Sequence, residues 1–193
     1  MRHGETDWNN AGRLQGREDI PLNHNGILQA GHCALALKKR RWDAIFSSPL
    51  LRAKQTADII ADINDVRRVY EDADLIERDY GKASGLTPEE RNILFPDGNY
   101  KGIEEWETLK SRVYNAVLRC ANGYYENDIN NKNNNIIIVS HGSAINSILA
   151  YLSNHEIGTD KTRLINMCLN MLEYKDGVLR ILFYNKSADE ADL

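Results

Sequence analysis

Apolar residues recur at helical spacing in four segments of this sequence. Residues 27–37 carry Ile, Ala and Leu at intervals of three or four, and residues 49–61 repeat the pattern after an opening proline. Residues 104–124 and 144–152 show the same periodicity. Because an amphipathic helix places every third or fourth residue on one face, these segments predict four helices, each with one buried face.

Short apolar or β-branched runs predict the strands. Residues 44–47 form one such run, and residues 136–140 form another that has no polar alternation. Residues 66–75 are a further candidate, while residues 164–174 and 178–184 flank an Asp-Gly pair that favours a hairpin turn. A strand without alternation is covered on both faces. We therefore expect a three-layer α/β/α fold with a mostly parallel central sheet.

The remaining segments predict loops. Residues 7–25 are rich in Gly, Asn and charge, which is typical of a functional loop. Residues 127–135 are dominated by Asn and predict an exposed loop, and the acidic tail at residues 187–193 is expected to fray. Since the sequence of 193 residues shows no repeat and no linker, we expect residues 1–193 to form a single domain.

Composition narrows the classes of function. A formal net charge of -4 provides no overall basic excess, so neither nucleic acid nor a membrane surface is an expected partner. No apolar stretch approaches the roughly 20 residues of a membrane span, and the N-terminus lacks a secretory signal. Cys33, Cys120 and Cys168 lack the spacing of zinc ligands or a disulfide framework. These features predict a cytoplasmic protein in which anion binding is local.

Four short motifs carry the candidate chemistry. Residues 2–6, R-H-G-E-T, place a cation beside an imidazole and a glycine that lets a phosphate approach the backbone. Arg52 follows a strand end at a helix start, where free N–H groups favour an anion. Glu77 lies in a predicted loop, where a raised pKa would let it donate and accept a proton. His141 and Gly142 follow the buried strand, at the sheet end where ligands bind.

Each motif taken alone also has an ordinary structural interpretation. Arg52 is equally well explained as an exposed helix cation, Glu77 as a surface carboxylate, and a single histidine at a strand end as a structural residue. The order and spacing of the four motifs together favour chemistry over these alternatives.

In this order and spacing the motifs resemble the histidine phosphatase superfamily, the phosphoglycerate mutase-like branch. Its fingerprint is R-H-G-[ET], S-x-x-x-R-[AT]-x-[QE]-T, E-x-x-[FY]-G and a late H-G. The resemblance runs from Arg2 to the strand after Asp176. It implies a phosphoglycerate mutase-like fold and transfer of a phosphoryl group to a histidine.

The resemblance also implies roles for five catalytic residues. His3 would be the nucleophile, with Arg2, Arg52 and His141 around the non-bridging oxygens of the phosphoryl group. Glu77 would protonate the leaving alkoxide and later take a proton from the attacking water. Fixed cations that meet the charge of the transition state would provide most of the catalysis.

Four further residues match the family at positions around the substrate. Asn9 and Arg13 match positions that line the phosphate pocket, Tyr80 matches one that faces the substrate, and Gly142 completes the H-G motif. The resemblance implies no metal and no other cofactor, because arginines supply the positive charge that magnesium supplies in other phosphotransferases.

The start of the sequence departs from the family. Members normally have a hydrophobic strand that runs into R-H-G at the centre of the sheet, whereas this sequence starts at Met1. We therefore expect the first central strand to be missing, which would expose strand edges and loosen the placement of His3.

The segment between the third and fourth motifs indicates the type of reaction. Mutases carry a long insertion with adjacent arginines there, while residues 87–104 form only a short cap, in which Arg91 and Lys101 are apart and Pro88 stands where mutases place a lysine. This favours a short-cap phosphatase whose partner is a small phosphorylated metabolite. A cofactor-dependent phosphoglycerate mutase and a non-catalytic binding module of the same fold are the alternatives, and a homodimer stays open.

Overall fold

The computed structural model describes residues 1–123 and 135–191. Its helices are α1 (Asp7–Asn10), α2 (His24–Leu37), α3 (Leu51–Ile63), α4 (Pro88–Leu94), α5 (Trp106–Ala121) and α6 (Gly142–Leu152). Its strands are β1 (Ala44–Ser47), β2 (Val69–Glu71), β3 (Ile136–Val139), β4 (Leu169–Lys175) and β5 (Val178–Lys186). Short 3-10 turns cover Ala73–Leu75 and Gly81–Ala83. The four predicted helices are confirmed as α2, α3, α5 and α6.

A parallel sheet forms the middle layer, with strands in the order β2-β1-β3. Ile45 of β1 is paired with Val69 on one side and with Ile137 on the other. Every residue of β1 is buried, as a central strand covered on both faces requires. The predicted mostly parallel sheet is therefore confirmed, although β2 is shorter than the predicted strand.

Helices cover both faces of this sheet. On one face α2 and α3 pack together, and Ala34, Ile60 and Val139 belong to the core beneath them. On the other face α5 and α6 pack together around a second core that contains Leu109 and Ile148. The predicted three-layer α/β/α arrangement is confirmed.

Residues 1–3 lie between the parallel sheet and the C-terminal hairpin. Along one edge the amide of Ser140 donates to the carbonyl of Met1 (3.0 Å), and the amide of His3 donates to the carbonyl of Ser140 (3.1 Å). Along the other edge the amide of Arg2 donates to the carbonyl of Cys168 (3.2 Å), and that of Met167 donates to the carbonyl of His3 (3.3 Å). The first central strand was expected to be missing. These three residues take its place and join the two sheets.

The hairpin formed by β4 and β5 is antiparallel and turns at Asp176 and Gly177, as predicted. Its first strand begins at Leu169, five residues later than the predicted start. Met167 has a φ of 60°, outside the strand region, so the chain bends there before β4 begins. This bend carries residues 164–168 past His3.

Two helices lie in segments predicted as loop or cap. Thr6 begins α1 with a capping box, in which its hydroxyl accepts from the amide of Asn9. Thr87 begins α4 in the same way with Glu90, and Pro88 occupies the first turn. Both helices are short and have no buried residue, which explains why hydrophobic periodicity did not reveal them.

The tail packs against the body of the fold. Ala188 and Ala191 are buried in the core under α2, and Glu190 accepts hydrogen bonds from the amide and hydroxyl of Ser187. The prediction that residues 187–193 fray is therefore wrong for residues 187–191, because two small apolar side chains find a place in the core.

Two further expectations concern cysteines and loops. The three cysteines are buried free thiols, and burial raises the pKa of Cys33 to about 11 and that of Cys120 to about 12. Most of the Asn-rich loop predicted at residues 127–135 lies outside the described residues. No helix in the described ranges is long and apolar enough to cross a membrane.

Two leucines of α2 allow a matched test of the core. Leu37 is 2% exposed and Leu35 is 61% exposed. We expect Leu37→Ala to lower the free energy of unfolding by about 2–5 kcal/mol, because it leaves a cavity, and Leu35→Ala to change it by less than about 0.5 kcal/mol. Urea unfolding followed by circular dichroism measures both. Equal losses would show that the face bearing Leu35 is also covered.

Candidate active site

The buried polar residues meet at one edge of the sheet. His3 ends the paired segment of residues 1–3, Ser48 follows β1, and His141 lies just after β3. Because the carboxyl ends of parallel strands share one edge, these residues are brought together. The imidazole rings of His3 and His141 are 5.2 Å apart between centroids.

The imidazole of His3 is held in one tautomer. Its Nδ1 lies 2.7 Å from the carbonyl oxygen of Gly4, and His3 is 2% exposed. A carbonyl only accepts, so Nδ1 carries the hydrogen and Nε2 keeps the lone pair. Burial, reinforced by the charges of Arg2 and Arg52, holds the pKa of His3 well below its usual value. The result is a neutral imidazole with a nucleophilic Nε2.

Gly4 lies where two elements of the fold come into close contact. A Cβ added at Gly4 would lie 2.7 Å from the carbonyl oxygen of Gly26, so the chain after His3 packs directly on the start of α2. The amide of Gly4 donates to the hydroxyl of Thr56 on α3 (3.0 Å). The glycine therefore permits backbone contact between elements, while the close approach of a phosphate stays a prediction.

Two arginines bring buried positive charge to His3. Arg52 is fully buried, and its terminal nitrogens donate to the carbonyls of Glu18 (2.7 Å) and Gly16 (2.8 Å). Arg2 donates to the carbonyl of Leu164 (2.5 Å). Burial lowers the pKa of Arg52 to about 10, which leaves it charged at neutral pH. The interpretation of Arg52 as an exposed helix cation is wrong.

Three nitrogen atoms at this edge are buried without a hydrogen-bond partner. They are Nε of Arg2, Nε of Arg52 and Nδ1 of His141. The other ring nitrogen of His141, Nε2, lies 2.8 Å from the hydroxyl of Ser48. Burial, followed by the charge of Arg52, lowers the pKa of His141 well below its usual value. A buried polar group without a partner costs about 1–3 kcal/mol, so an anion that accepts from these nitrogens would stabilise the site.

The carboxylate of Glu77 lies at the start of α6. It accepts from the amides of Ser143 (3.1 Å) and Ala144 (3.0 Å), and also from that of Arg78 (2.9 Å). A Cβ added at Gly142 would lie 3.7 Å from Oε2 of Glu77 and 3.8 Å from Nε of Arg2, so this glycine lies between the two groups. The N-terminal end of a helix favours negative charge. Glu77 is buried, so its interpretation as a surface carboxylate is wrong.

Tyr80 and Asn9 lie beside this cluster. The hydroxyl of Tyr80 is 2.6 Å from the hydroxyl of Ser143, and burial together with the charge of Glu77 raises the pKa of Tyr80 to about 12. The side chain of Asn166 donates both to Oδ1 of Asn9 (3.2 Å) and to the carbonyl of His3 (3.1 Å). Both residues are thus one contact away from the catalytic candidates.

Arg13 is directed elsewhere. Its guanidinium donates to the carbonyl of Gly85 (2.6 Å) and forms an ion pair with Glu90 of α4 (3.1 Å). The structure therefore brings Arg13 to the cap segment and not to the buried cluster that contains His3.

The sequence assigned no role to three residues of the site: Ser48, Ser143 and Asn166. Ser48 begins the S-x-x-x-R motif and Ser143 directly follows the H-G motif, which was the available signal. Asn166 had none, because it approaches His3 from the far end of the chain. Within the described ranges, no group of three or more His, Cys, Asp or Glu side chains is placed to hold a metal ion.

Comparisons with known proteins agree with this geometry. The sequence profile of the histidine phosphatase superfamily (branch 1) matches residues 1–187. The chain is 40% identical over 185 residues to the uncharacterized phosphatase PhoE of Bacillus subtilis, covering 96% of this chain and 92% of that one. It is 32% identical over 189 residues to a metal-independent phosphoserine phosphatase of Arabidopsis thaliana, covering 91% and 75%. A phosphoserine phosphatase of Entamoeba histolytica in complex with phosphoserine aligns with a TM-score of 0.78 at 26% identity, covering 96% and 94%.

The low pKa values of the two buried histidines predict how stability depends on pH. Below about pH 6.5 an unfolded imidazole binds a proton, while His3 and His141 stay neutral in the folded protein. Each then lowers the free energy of unfolding by up to about 1.4 kcal/mol per pH unit, from about pH 6.5 down toward its folded pKa. We expect urea unfolding in buffers without phosphate or sulfate to show this loss between pH 7.5 and 5.5.

His141→Gln should show a smaller loss over this range, because glutamine does not titrate. His24→Gln, which removes an exposed histidine, should show the loss of the unaltered protein. The explanation fails if His141→Gln and the unaltered protein lose equal stability.

Proposed function

The chain belongs to the histidine phosphatase superfamily (branch 1), and we propose that it hydrolyses phosphate monoesters of small metabolites through a phosphohistidine on His3. The observation that carries this proposal is the set of partnerless buried nitrogens of Arg2, Arg52 and His141 beside a neutral imidazole. A phosphoryl group supplies the oxygens that these nitrogens lack.

In the first step Nε2 of His3 attacks phosphorus, and the bond between phosphorus and the ester oxygen breaks. The cations of Arg2 and Arg52 and an N–H of His141 stabilise the charge on the three equatorial oxygens. The protonated carboxyl of Glu77 gives its proton to the leaving alkoxide, so that the alcohol departs neutral.

In the second step water attacks the phosphohistidine. The carboxylate of Glu77 takes a proton from the water. The oxygen of the water bonds to phosphorus as the bond between phosphorus and Nε2 of His3 breaks. Phosphate leaves, His3 is again neutral, and Glu77 is again protonated. No metal or other cofactor takes part, since Arg2 and Arg52 supply the positive charge.

Substrate recognition is proposed for the residues around this centre. Asn9, Tyr80 and Gly142 surround the phosphoryl group and its ester oxygen, and Arg13 contributes beside the cap, where it pairs with Glu90. Relatives named as phosphoserine phosphatases support a substrate of that size, a small phosphorylated metabolite. A single domain over residues 1–193, a cytoplasmic location and a homodimer stay predictions.

The nucleophile can be tested by replacing His3. We expect His3→Ala to lower kcat for phosphate release by far more than a hundredfold, because a covalent nucleophile is lost. Phosphate release over a panel of sugar phosphates, phosphoserine, phosphoglycerates and nucleotides, with EDTA present, measures it. The unaltered protein should also yield an acid-labile phosphoenzyme, absent from His3→Ala.

His24→Ala is the matched control for this experiment and should keep the activity of the unaltered protein. Activity in His3→Ala above about a hundredth of the original kcat would remove His3 from the mechanism. Activity abolished by EDTA and restored by magnesium would overturn the metal-free scheme.

The short cap predicts hydrolysis over isomerisation. A mutase must hold its bisphosphate intermediate and keep water from the phosphohistidine, and the cap at residues 87–104 has no adjacent basic pair for that purpose. With 3-phosphoglycerate and a trace of 2,3-bisphosphoglycerate, we expect phosphate to appear much faster than 2-phosphoglycerate. Faster isomer exchange would identify a mutase with the same nucleophile.

A further inference from the structure

Arg112 lies on α5, and all five of its N–H donors are used. Three of them donate to main-chain carbonyls, those of Asp74 (2.8 Å), Ile76 (2.7 Å) and Glu77 (3.0 Å). The other two form a bidentate pair with the carboxylate of Glu104 (2.7 and 2.9 Å). Because a guanidinium has five donors in a fixed plane, this one side chain determines where the backbone of residues 74–77 lies.

Glu104 holds the other side of the same segment. Its carboxylate accepts from the amide of Asp79 (3.2 Å), and its own amide donates to the carbonyl of Asp79 (2.8 Å). The side chain of Arg78 in turn donates to the carbonyl of Glu104 (2.9 Å). Burial opposes ionisation of Glu104, but the hydrogen bonds and charge of Arg112, the amide of Asp79 and the charge of Arg17 together outweigh it and hold the pKa of Glu104 below its usual value. Arg112 and Glu104 are therefore hydrogen-bonded to the main chain on both sides of Glu77.

Glu77 needs such support because no regular element carries it. It lies between the 3-10 turns that end at Leu75 and begin at Gly81. Its carboxylate is held at the start of α6, whereas its backbone carbonyl is held by Arg112 of α5. The position of the carboxyl group relative to His3 is thus set by two helices that pack against each other.

We propose that Arg112 and Glu104 are positioning residues for proton transfer by Glu77, an inference that rests on the proposed role of Glu77 as acid and base. Neither side chain contacts the phosphoryl-binding nitrogens of Arg2, Arg52 and His141 in the described structure. Their loss should therefore impair proton transfer to the leaving group and leave binding of the phosphoryl group intact.

The test compares esters with poor and good leaving groups. An alkyl ester such as phosphoserine needs its leaving oxygen protonated, while p-nitrophenyl phosphate needs little help. The measured quantity is kcat/KM, which reports on all steps up to departure of the leaving group. A displacement of about 1 Å can cost about a hundredfold, so we expect Arg112→Met to lower kcat/KM for phosphoserine by roughly 10- to 100-fold and that for p-nitrophenyl phosphate much less.

Arg119→Met is the matched control. Arg119 lies on the same helix and pairs with Asp72 and Asp74, near the start of the same segment but away from Glu77. We expect Arg119→Met to change kcat/KM equally for the two esters. Arg112→Lys keeps the charge but cannot reach all three carbonyls, so it should show a smaller, still ester-dependent loss.

A double variant separates positioning from general destabilisation. If Glu77→Gln has already removed the acid, adding Arg112→Met should lower kcat/KM for phosphoserine by a much smaller factor than Arg112→Met does alone, since residues that act as a unit are non-additive. Orthovanadate affinity, which reports on the phosphoryl-binding nitrogens, should stay within a few-fold in Arg112→Met and Glu104→Gln. This binding also shows that these variants are folded.

Three results overturn the proposal: full multiplication of the two effects, equal losses for both esters in Arg112→Met and Arg112→Lys, or loss of vanadate binding in Arg112→Met and Glu104→Gln. If the loss of kcat/KM depends on the ester in Glu77→Gln but not in Arg112→Met, only the positioning role is refuted. If the loss of kcat/KM in Glu77→Gln is the same for both esters, the proposed role of Glu77 as acid is refuted, together with the inference built on it.

Discussion

Buried positive charge is the constraint on which the rest of this structure depends. Arg52 is fully buried, Arg2 lies beside it, and each has an Nε without a partner. Carbonyls from loops satisfy their terminal nitrogens, and the carboxylate of Glu77 offsets part of the charge. Burial, reinforced by the same charges, keeps His3 neutral. Burying these charges lowers the stability of the fold locally. The same buried charges produce both the affinity for an anion and the neutral, nucleophilic imidazole.

The central pairing of residues 1–3 makes this arrangement rigid. These residues are hydrogen-bonded to Ser140 on one side and to residues 167–168 on the other, so His3 is held from both edges. The second imidazole, that of His141, lies just after the neighbouring strand β3, and only Ser140 separates His141 from the end of that strand. Groups on strand ends hold a catalytic geometry better than groups on loops, which suits a site that must meet a small, highly charged transition state.

The two ends of the proposed substrate meet different kinds of structure. In the proposed mechanism the phosphoryl end would face strand ends and helix starts, whereas the leaving-group end would face residues 76–80 and the cap. The cap helix α4 is held to the body through Arg13 and Glu90, and its Ile93 is 78% exposed. The proposal thus places the chemistry common to all phosphate monoesters on the strand ends, and recognition of a particular metabolite on the part that packs least.

The sequence alone predicted the layers, the four long helices, the parallel sheet and the motif residues of the site. Each of these depends on local periodicity or on short motifs, which neighbouring residues encode. It did not predict α1 or α4, because neither buries an apolar face, and it predicted fraying where Ala188 and Ala191 are buried. Those outcomes depend on contacts between distant parts of the chain.

The same division holds within the site. The proposed nucleophile, cations and carboxylate were implied by the family resemblance of the motifs, while the support around them was not. Asn166 approaches His3 from 163 residues away, and Arg112 reaches Glu77 from 35 residues away. Such pairs carry no local signal, since only the packing of helices on the sheet brings their atoms within hydrogen-bond distance. The sequence by itself therefore determined which groups are proposed for the chemistry, and the tertiary structure decided which groups hold them in place.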